Sequence, residues 1–285
     1  MPSDGESRGT DKAGAESMTQ KEIKNAFDFF YASNNIAYDA RKHQYKLDGI
    51  TCAGVSTIAE YRPAPFLKFW AAKMVIEHLA DKQEIIKNLS PKEYQELLLE
   101  AKKAHIRKSD TALEIGTAAH DWADKHIHGE DLPITKEIEN CAQAFLDFEA
   151  NHQTQWICTE KIVVNREHLV AGRLDSLAFV DGALSLVDLK TSSRVSENYY
   201  LQTAGYAMCL QDMGIPVERR IILRLPKIKD EKFEAVEVDT PLAADTKAFL
   251  AQRYAYEWAN MIDCKHTETI NRGKFKEKKL KLKKL

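Results

Sequence analysis

The sequence has no C-x-x-C pair: its five cysteines, Cys52, Cys141, Cys158, Cys209 and Cys264, are odd in number and far apart. Such spacing argues against a disulfide framework, and it offers no thiolate set for a zinc ion or an iron–sulfur cluster. There is also no apolar run approaching the roughly 18 residues of a membrane span, and no apolar signal region near the N-terminus. The expected setting is therefore the cytoplasm, without a membrane partner. Charge of one sign is lacking as well, since 41 Lys and Arg meet 43 Asp and Glu for a net −2. The total alone does not suggest a polyanion ligand. Its distribution does: from Lys265 onward nine Lys or Arg stand against two Glu, a local +7 that leaves −9 for the rest. That tail, residues 265–285, is suited either to a phosphate backbone or to solvent. Residues 1–18 have almost no large apolar group and are expected to form a disordered leader.

What is present is enough apolar material, 44% of residues, to bury a core. A first helix is expected from Gln20 to about Tyr31, with Ile23, Phe27 and Phe30 on one face. Short extended runs follow over 36–47 and 53–58, with a turn at Asp48-Gly49. Pro63 and Pro65 open a helix through Trp70 and Met74. Ser90-Pro91 opens another, to about Lys108, and Ser109-Asp110 caps a third that runs to Gly129. A helix over 134–150 leads to strands at 156–164, 169–180 and 183–190. A helix over 199–213, strands over 219–225 and 232–238, and a helix over 242–262 complete the pattern. This divides the chain into a mostly helical N-terminal arm, 19–108, and an α/β core, 109–264.

The chemistry concentrates in Ala171–Ser193. Asp181-Gly182 fits a two-residue type I′ turn, because both central positions need positive φ. In that register Val180 faces Ala183, Asp175 faces Asp188, and Arg173 faces Lys190. Side chains so opposed lie roughly 4.5–5.5 Å apart at Cβ, where like charges repel. Asp188 and Lys190, two residues apart, share one face of their strand. Two carboxylates and an ammonium on one patch of sheet suit a hard divalent cation held by oxygens. If Asn165 pairs with His168, Glu160 falls opposite Arg173. It is then either half of an ion pair or a third carboxylate for the cation.

Gly172-Arg-Leu-Asp175 followed by Val187-Asp-Leu-Lys190 resembles the PD-(D/E)XK nucleases. The branch is the one that includes the RecB nuclease domain, the four-cysteine CRISPR-associated nucleases and the mitochondrial genome maintenance exonuclease. Gly116-Thr-Ala-Ala-His120 upstream and Gln202-Thr-Ala-Gly-Tyr206 downstream match further motifs of that branch in order, and Gly54–Ala59 and Phe69–Met74 look like its phage-type members. The likeness spans residues 37–210. It implies a restriction-endonuclease-like core, a central mixed sheet flanked by helices, and a metal-dependent DNA exonuclease acting on single strands or duplex ends. The lack of clustered cysteines departs from the four-cysteine members and their iron–sulfur cluster.

By that resemblance Asp175, Asp188, the Leu189 carbonyl and His120 hold Mg²⁺ or Mn²⁺, the histidine nitrogen favouring Mn²⁺. Lys190 orients or deprotonates water, and Glu160 assists as a further carboxylate. Gln202, Tyr206, Arg173, Thr191 and Ser192 contact DNA. Recombination or replication proteins are the partners this implies. A structure-specific endonuclease and an inactive nucleic-acid-binding module of the same fold are the alternatives.

Overall fold

The structure, a computed structural model, describes residues 17–130 and 132–270, with side chains as far as Met261. Thr19 starts the first helix: its side chain accepts from the Glu22 amide while the Glu22 carboxylate accepts from the Thr19 amide. This reciprocal cap satisfies two donors that a helix leaves orphaned. Helix α1 (Gln20–Ser33) then buries Ile23, Phe27 and Phe30 on one face. Three short antiparallel strands follow, β1 (Ile36–Asp39), β2 (Gln44–Leu47) and β3 (Ile50–Gly54). The extended run expected over 53–58 turns at Gly54 into α2 (Val55–Ala59), whose Val55, Ile58 and Ala59 are all buried. A short apolar run carries no periodicity that separates a buried strand from a buried helix.

Next come α3 (Phe66–Ala80), α4 (Gln83–Ile86), α5 (Pro91–Lys102) and α6 (Ala104–Ile127). Ser90 and Glu93 make a second reciprocal cap, with Pro91 at the first helical position. The break after α5 falls at Lys103, not Lys108, so Ser109-Asp110 lies inside α6 instead of capping it. Ala104–Lys108 are mostly good helix formers, and they carry the helix back past that pair. Helix α7 (Glu139–Asn151) begins later than Ile134 because a turn first seats Ile138 in the core.

The remaining elements are β4 (Thr154–Thr159), β5 (Ile162–Asn165), β6 (Val170–Arg173), β7 (Ser176–Val180), β8 (Ala183–Lys190), α8 (Glu197–Asp212), β9 (Arg219–Arg224), β10 (Glu234–Glu237) and α9 (Leu242–Ile270). They give a mixed α/β fold with two five-stranded sheets, ordered β1-β2-β3-β6-β5 and β10-β9-β8-β7-β4, where one central sheet was expected. Each is mixed, with β3 parallel to β6 and β8 parallel to β9.

The second sheet arises from a kink in one long ribbon. The strand expected over 156–164 separates into β4 and β5 at Glu160-Lys161, and the one over 169–180 separates into β6 and β7 at Leu174-Asp175. Pairing nevertheless continues through the kink: Ile162 faces Arg173 and Thr159 faces Ser176. Between them the Leu174 amide donates to the Lys161 carbonyl, and the Glu160 amide donates to the Asp175 carbonyl. Glu160 adopts φ +52, a conformation uncommon outside glycine, and there the ribbon passes from one sheet to the other.

The observed register differs from the expected one. Asn165 pairs with Val170 rather than His168, so Arg173 faces Ile162 and Glu160 comes beside Asp175. The β7–β8 ladder ends at Ser176 facing Val187, so the expected pairs Asp175–Asp188 and Arg173–Lys190 are not part of it. At the other end the Asp181-Gly182 turn forms as read, with φ +50 and +84 and Val180 facing Ala183.

Two apolar cores result. One gathers α1, α2, β5, β6, α8 and Phe249; the other lies between α6, α7 and β7–β9. The helical arm expected over 19–108 therefore divides. Its α1, β1–β3 and α2 are built into the first core, whereas α3 and α5 pack on α6. The reason is that Ile23, Phe27 and Phe30 bury their apolar face against the first sheet. Of the leader expected at 1–18 only Ser17 and Met18 are described, and the side chains of the basic tail 265–285 lie outside the described residues. No described helix is long and apolar enough to cross a membrane.

Gly172 sits where β6 passes under α8. A Cβ there would lie 2.7 Å from the Tyr206 ring and 3.0 Å from Val55 Cβ. Gly172→Ala is expected to lower stability by roughly 1–3 kcal/mol, as overpacking of a filled core does. Urea unfolding checks this, with a lower midpoint and an unchanged slope as the expected result.

Candidate metal centre

The kinked ribbon, the end of β8 and the middle of α6 meet in an open cleft of about 640 Å³. Asp175 lies in the break between β6 and β7, so its side chain is free of the sheet's alternation. Its Oδ2 accepts from the Leu189 amide at 2.7 Å, and its Oδ1 is 3.6 Å from His120 Nδ1. Glu160, brought alongside by the ribbon register, completes a group in which one ligand atom each from His120, Glu160 and Asp175 lies within 4.8 Å of the others. Helix α6 approaches closely here because Gly116 has no side chain: a Cβ on it would stand 3.1 Å from Thr191 Oγ1.

Asp188 is not in that trio. It is fully buried, and Lys190 is its close polar partner. Lys190 Nζ is 2.7 Å from Asp188 Oδ2, and the ammonium also stands 5.1 Å over the Tyr199 ring. A fully buried carboxylate is tolerated only with a cationic partner, and Lys190 is that partner here.

The protonation of the site follows from these contacts. Burial raises the Asp188 pKa above all, and the Asp175 charge adds to it; against the pull of Lys190 the carboxyl is pushed up to about 6. Burial would raise Asp175 too, but the His120 and Lys190 charges and the Leu189 amide outweigh it and hold it low. Burial works to lower His120, and Asp175 overrides it, so the imidazole is driven upward. Burial likewise works to lower Lys190, and Asp188 and Asp175 override it, keeping the ammonium charged. Burial raises Glu160 against the opposing Arg173 guanidinium.

Glu160 is half of an ion pair and also stands close to the other two groups of the trio. Arg173 Nε is 2.8 Å from Glu160 Oε2, and Glu160 still belongs to the ligand trio. Thr191, Ser192, Leu189 and Gln202 line the cleft. Gln202 Nε2 donates to Ser56 Oγ and to the Tyr206 hydroxyl, each at 3.4 Å, and Tyr206 is itself buried. Cleft residues that the motifs do not mark include Tyr38, His43 and Tyr45, with Tyr199 and Lys227. The first three arrive through the parallel β3–β6 pairing, which no local spacing announces.

No protein-family model matches the chain, and no curated protein matches it. Among solved structures the chain is similar to an alkaline exonuclease, LHK-Exo, from Laribacter hongkongensis. The identity is 13%, the match covers 75% of this chain and 94% of that one, and the TM-score is 0.34. LHK-Exo in complex with dAMP gives the same identity and coverage with a TM-score of 0.35. At that degree of superposition the likeness does not establish a shared fold.

Proposed function

We propose that the protein is a divalent-metal-dependent nuclease of the PD-(D/E)XK type that hydrolyses phosphodiester bonds in DNA. The observation that carries this reading is the fully buried Asp188 paired with Lys190, together with the His–Glu–Asp trio at the cleft. The donor set fits a hard cation: two carboxylates and an imidazole at an open cleft, a third carboxylate buried against Lys190, and an amide holding Asp175 in place. In this reading Asp175, Asp188, His120 and the Leu189 carbonyl hold Mg²⁺ or Mn²⁺, with Glu160 as an auxiliary ligand. When bound, the cation neutralises charge on the phosphoryl oxygens and lowers the pKa of a ligated water.

The side chains supply the rest. Lys190, kept protonated by its two carboxylate neighbours, orients the attacking water or a phosphate oxygen by donating to it. It is a donor here and not the base. Water adds to phosphorus and gives up a proton to solvent, the bond to the 3′-oxygen breaks and that oxygen takes a proton from solvent, and 5′-phosphate and 3′-hydroxyl ends result. Thr191 and Ser192, on the loop after β8, and Gln202 at the cleft wall hold the adjoining phosphates and sugars. The same cleft is read as an exonuclease site for single strands or duplex ends.

An end-labelled oligonucleotide digest tests this, with 5′ and 3′ labels in parallel and a covalently closed circle beside them. With Mn²⁺ or Mg²⁺ the linear strands are expected to shorten from one end, the circle to survive, and chelator to stop the reaction. Opening of the circle would point to an endonuclease instead. Cleavage undiminished by chelator would refute metal dependence.

A further inference from the structure

The β1–β2 hairpin carries two aromatic rings that the metal centre does not use. Tyr38 and Tyr45 are directly paired across the hairpin, hence on one face. Their rings stack, with centroids 4.7 Å apart and planes at 28°. Both are half-buried and line the cleft that contains the His–Glu–Asp trio. The Tyr38 hydroxyl is 3.1 Å from His43 Nδ1, which braces the outer ring. Arg173 links this stack to the centre: its guanidinium lies 5.8 Å over the Tyr38 ring while its Nε pairs with Glu160 at 2.8 Å. Tyr45 leans in part on the first core, which anchors the stack, and Tyr38 beside it is left half-exposed at the cleft. The two rings and the guanidinium thus place flat, polarizable surface beside a candidate metal ligand at the cleft wall.

We propose that Tyr38, Tyr45 and the Arg173 guanidinium are a stacking platform for an unpaired nucleobase next to the scissile phosphate. Residue by residue this deepens the nuclease reading and rests on it, because the platform selects which nucleic acid the centre meets. Bases stack on aromatic rings and guanidinium planes without regard to sequence. A base held in a duplex is already stacked on both faces. The platform therefore favours single strands or frayed ends, and it does so without reading sequence.

The test is a cycle between the protein and the substrate. Binding of a single-stranded oligonucleotide to the Asp188→Asn protein, which should not cut it, is measured by fluorescence anisotropy for Tyr38→Leu, Tyr38→Phe and the unaltered hairpin. Each is paired with an intact strand and with strands carrying one abasic site moved along the terminal positions. The unaltered hairpin is expected to lose roughly tenfold in affinity at one abasic position, and a 2-aminopurine placed there should be quenched on binding. Tyr38→Leu should bind the intact strand roughly tenfold more weakly and show no further loss with the abasic strand, whereas Tyr38→Phe should behave as the unaltered hairpin.

Equal abasic penalties in the Leu variant and the unaltered hairpin would overturn the platform, as would no penalty at any position. Those outcomes, together with a functional digest, leave the nuclease reading standing. Absence of any strand binding would remove both.

Discussion

Asp188→Asn is expected to lower DNA cleavage by about three orders of magnitude, roughly 4 kcal/mol of transition-state stabilisation, while single-strand binding survives. The reason is that the carboxylate is the one fully buried anion of the centre and stands against the Lys190 ammonium. An amide of the same shape fills the space but removes the charge a cation needs. Lys190→Met acts differently. It removes the only ammonium in contact with Asp188 among the described residues, leaving a buried carboxylate without a partner. Breaking a buried pair from one side costs roughly 3–5 kcal/mol, so the metal-free Lys190→Met protein should melt well below the parent and recover part of that loss when Mn²⁺ is added. Gel assays beside thermal melts of both variants check this. Cleavage by Asp188→Asn equal to the parent, from preparations free of host nuclease, would refute the assignment of Asp188.

Added Mn²⁺ is expected to raise Tm by several degrees at neutral pH and by little at pH 5. A ligand present at 100 times its Kd and bound only by the folded state contributes about 2.7 kcal/mol. The pH dependence follows from two groups. Asp188 has its folded pKa raised from 3.8 to about 6. In the metal-free protein its contribution to stability is therefore complete below about pH 4 and is lost as pH rises towards 6. His120 is shifted upward as well, which adds a second loss of the same sign at higher pH. A cation must displace both protons, so its stabilisation grows over the range in which the metal-free protein weakens. Melting curves from pH 5 to 8, with chelator and with Mn²⁺, should diverge as pH rises. Parallel curves would contradict the ligand roles of these two residues.

Much of this centre could be read in the chain because it is local. The Asp181-Gly182 turn has the residues its dihedral angles demand, and its register carries as far as Ser176 facing Val187. The two-residue spacing of Asp188 and Lys190 needs only a strand to place them together. Beyond Ser176 local rules fail. The sheet switch at Leu174-Asp175 depends on a positive φ at Glu160, a residue type with no preference for it, and on a four-residue turn that follows Asn165. The Asn165 side chain accepts from the His168 amide and closes that turn, shifting Glu160 from opposite Arg173 to beside Asp175. Tyr38, Tyr45 and Ser56 reach the cleft only through a parallel strand pairing more than a hundred residues apart in sequence. Ser109-Asp110 shows the opposite error: a well-formed cap signal that the helix formers before it override.

A calorimetric titration of Mn²⁺ into the purified protein at neutral pH tests the central claim most directly. Stoichiometric binding with proton release, abolished in an Asp175→Asn, Asp188→Asn double variant that still melts cooperatively, is the predicted result. A flat titration of the parent protein, or an identical isotherm from the double variant, would contradict it.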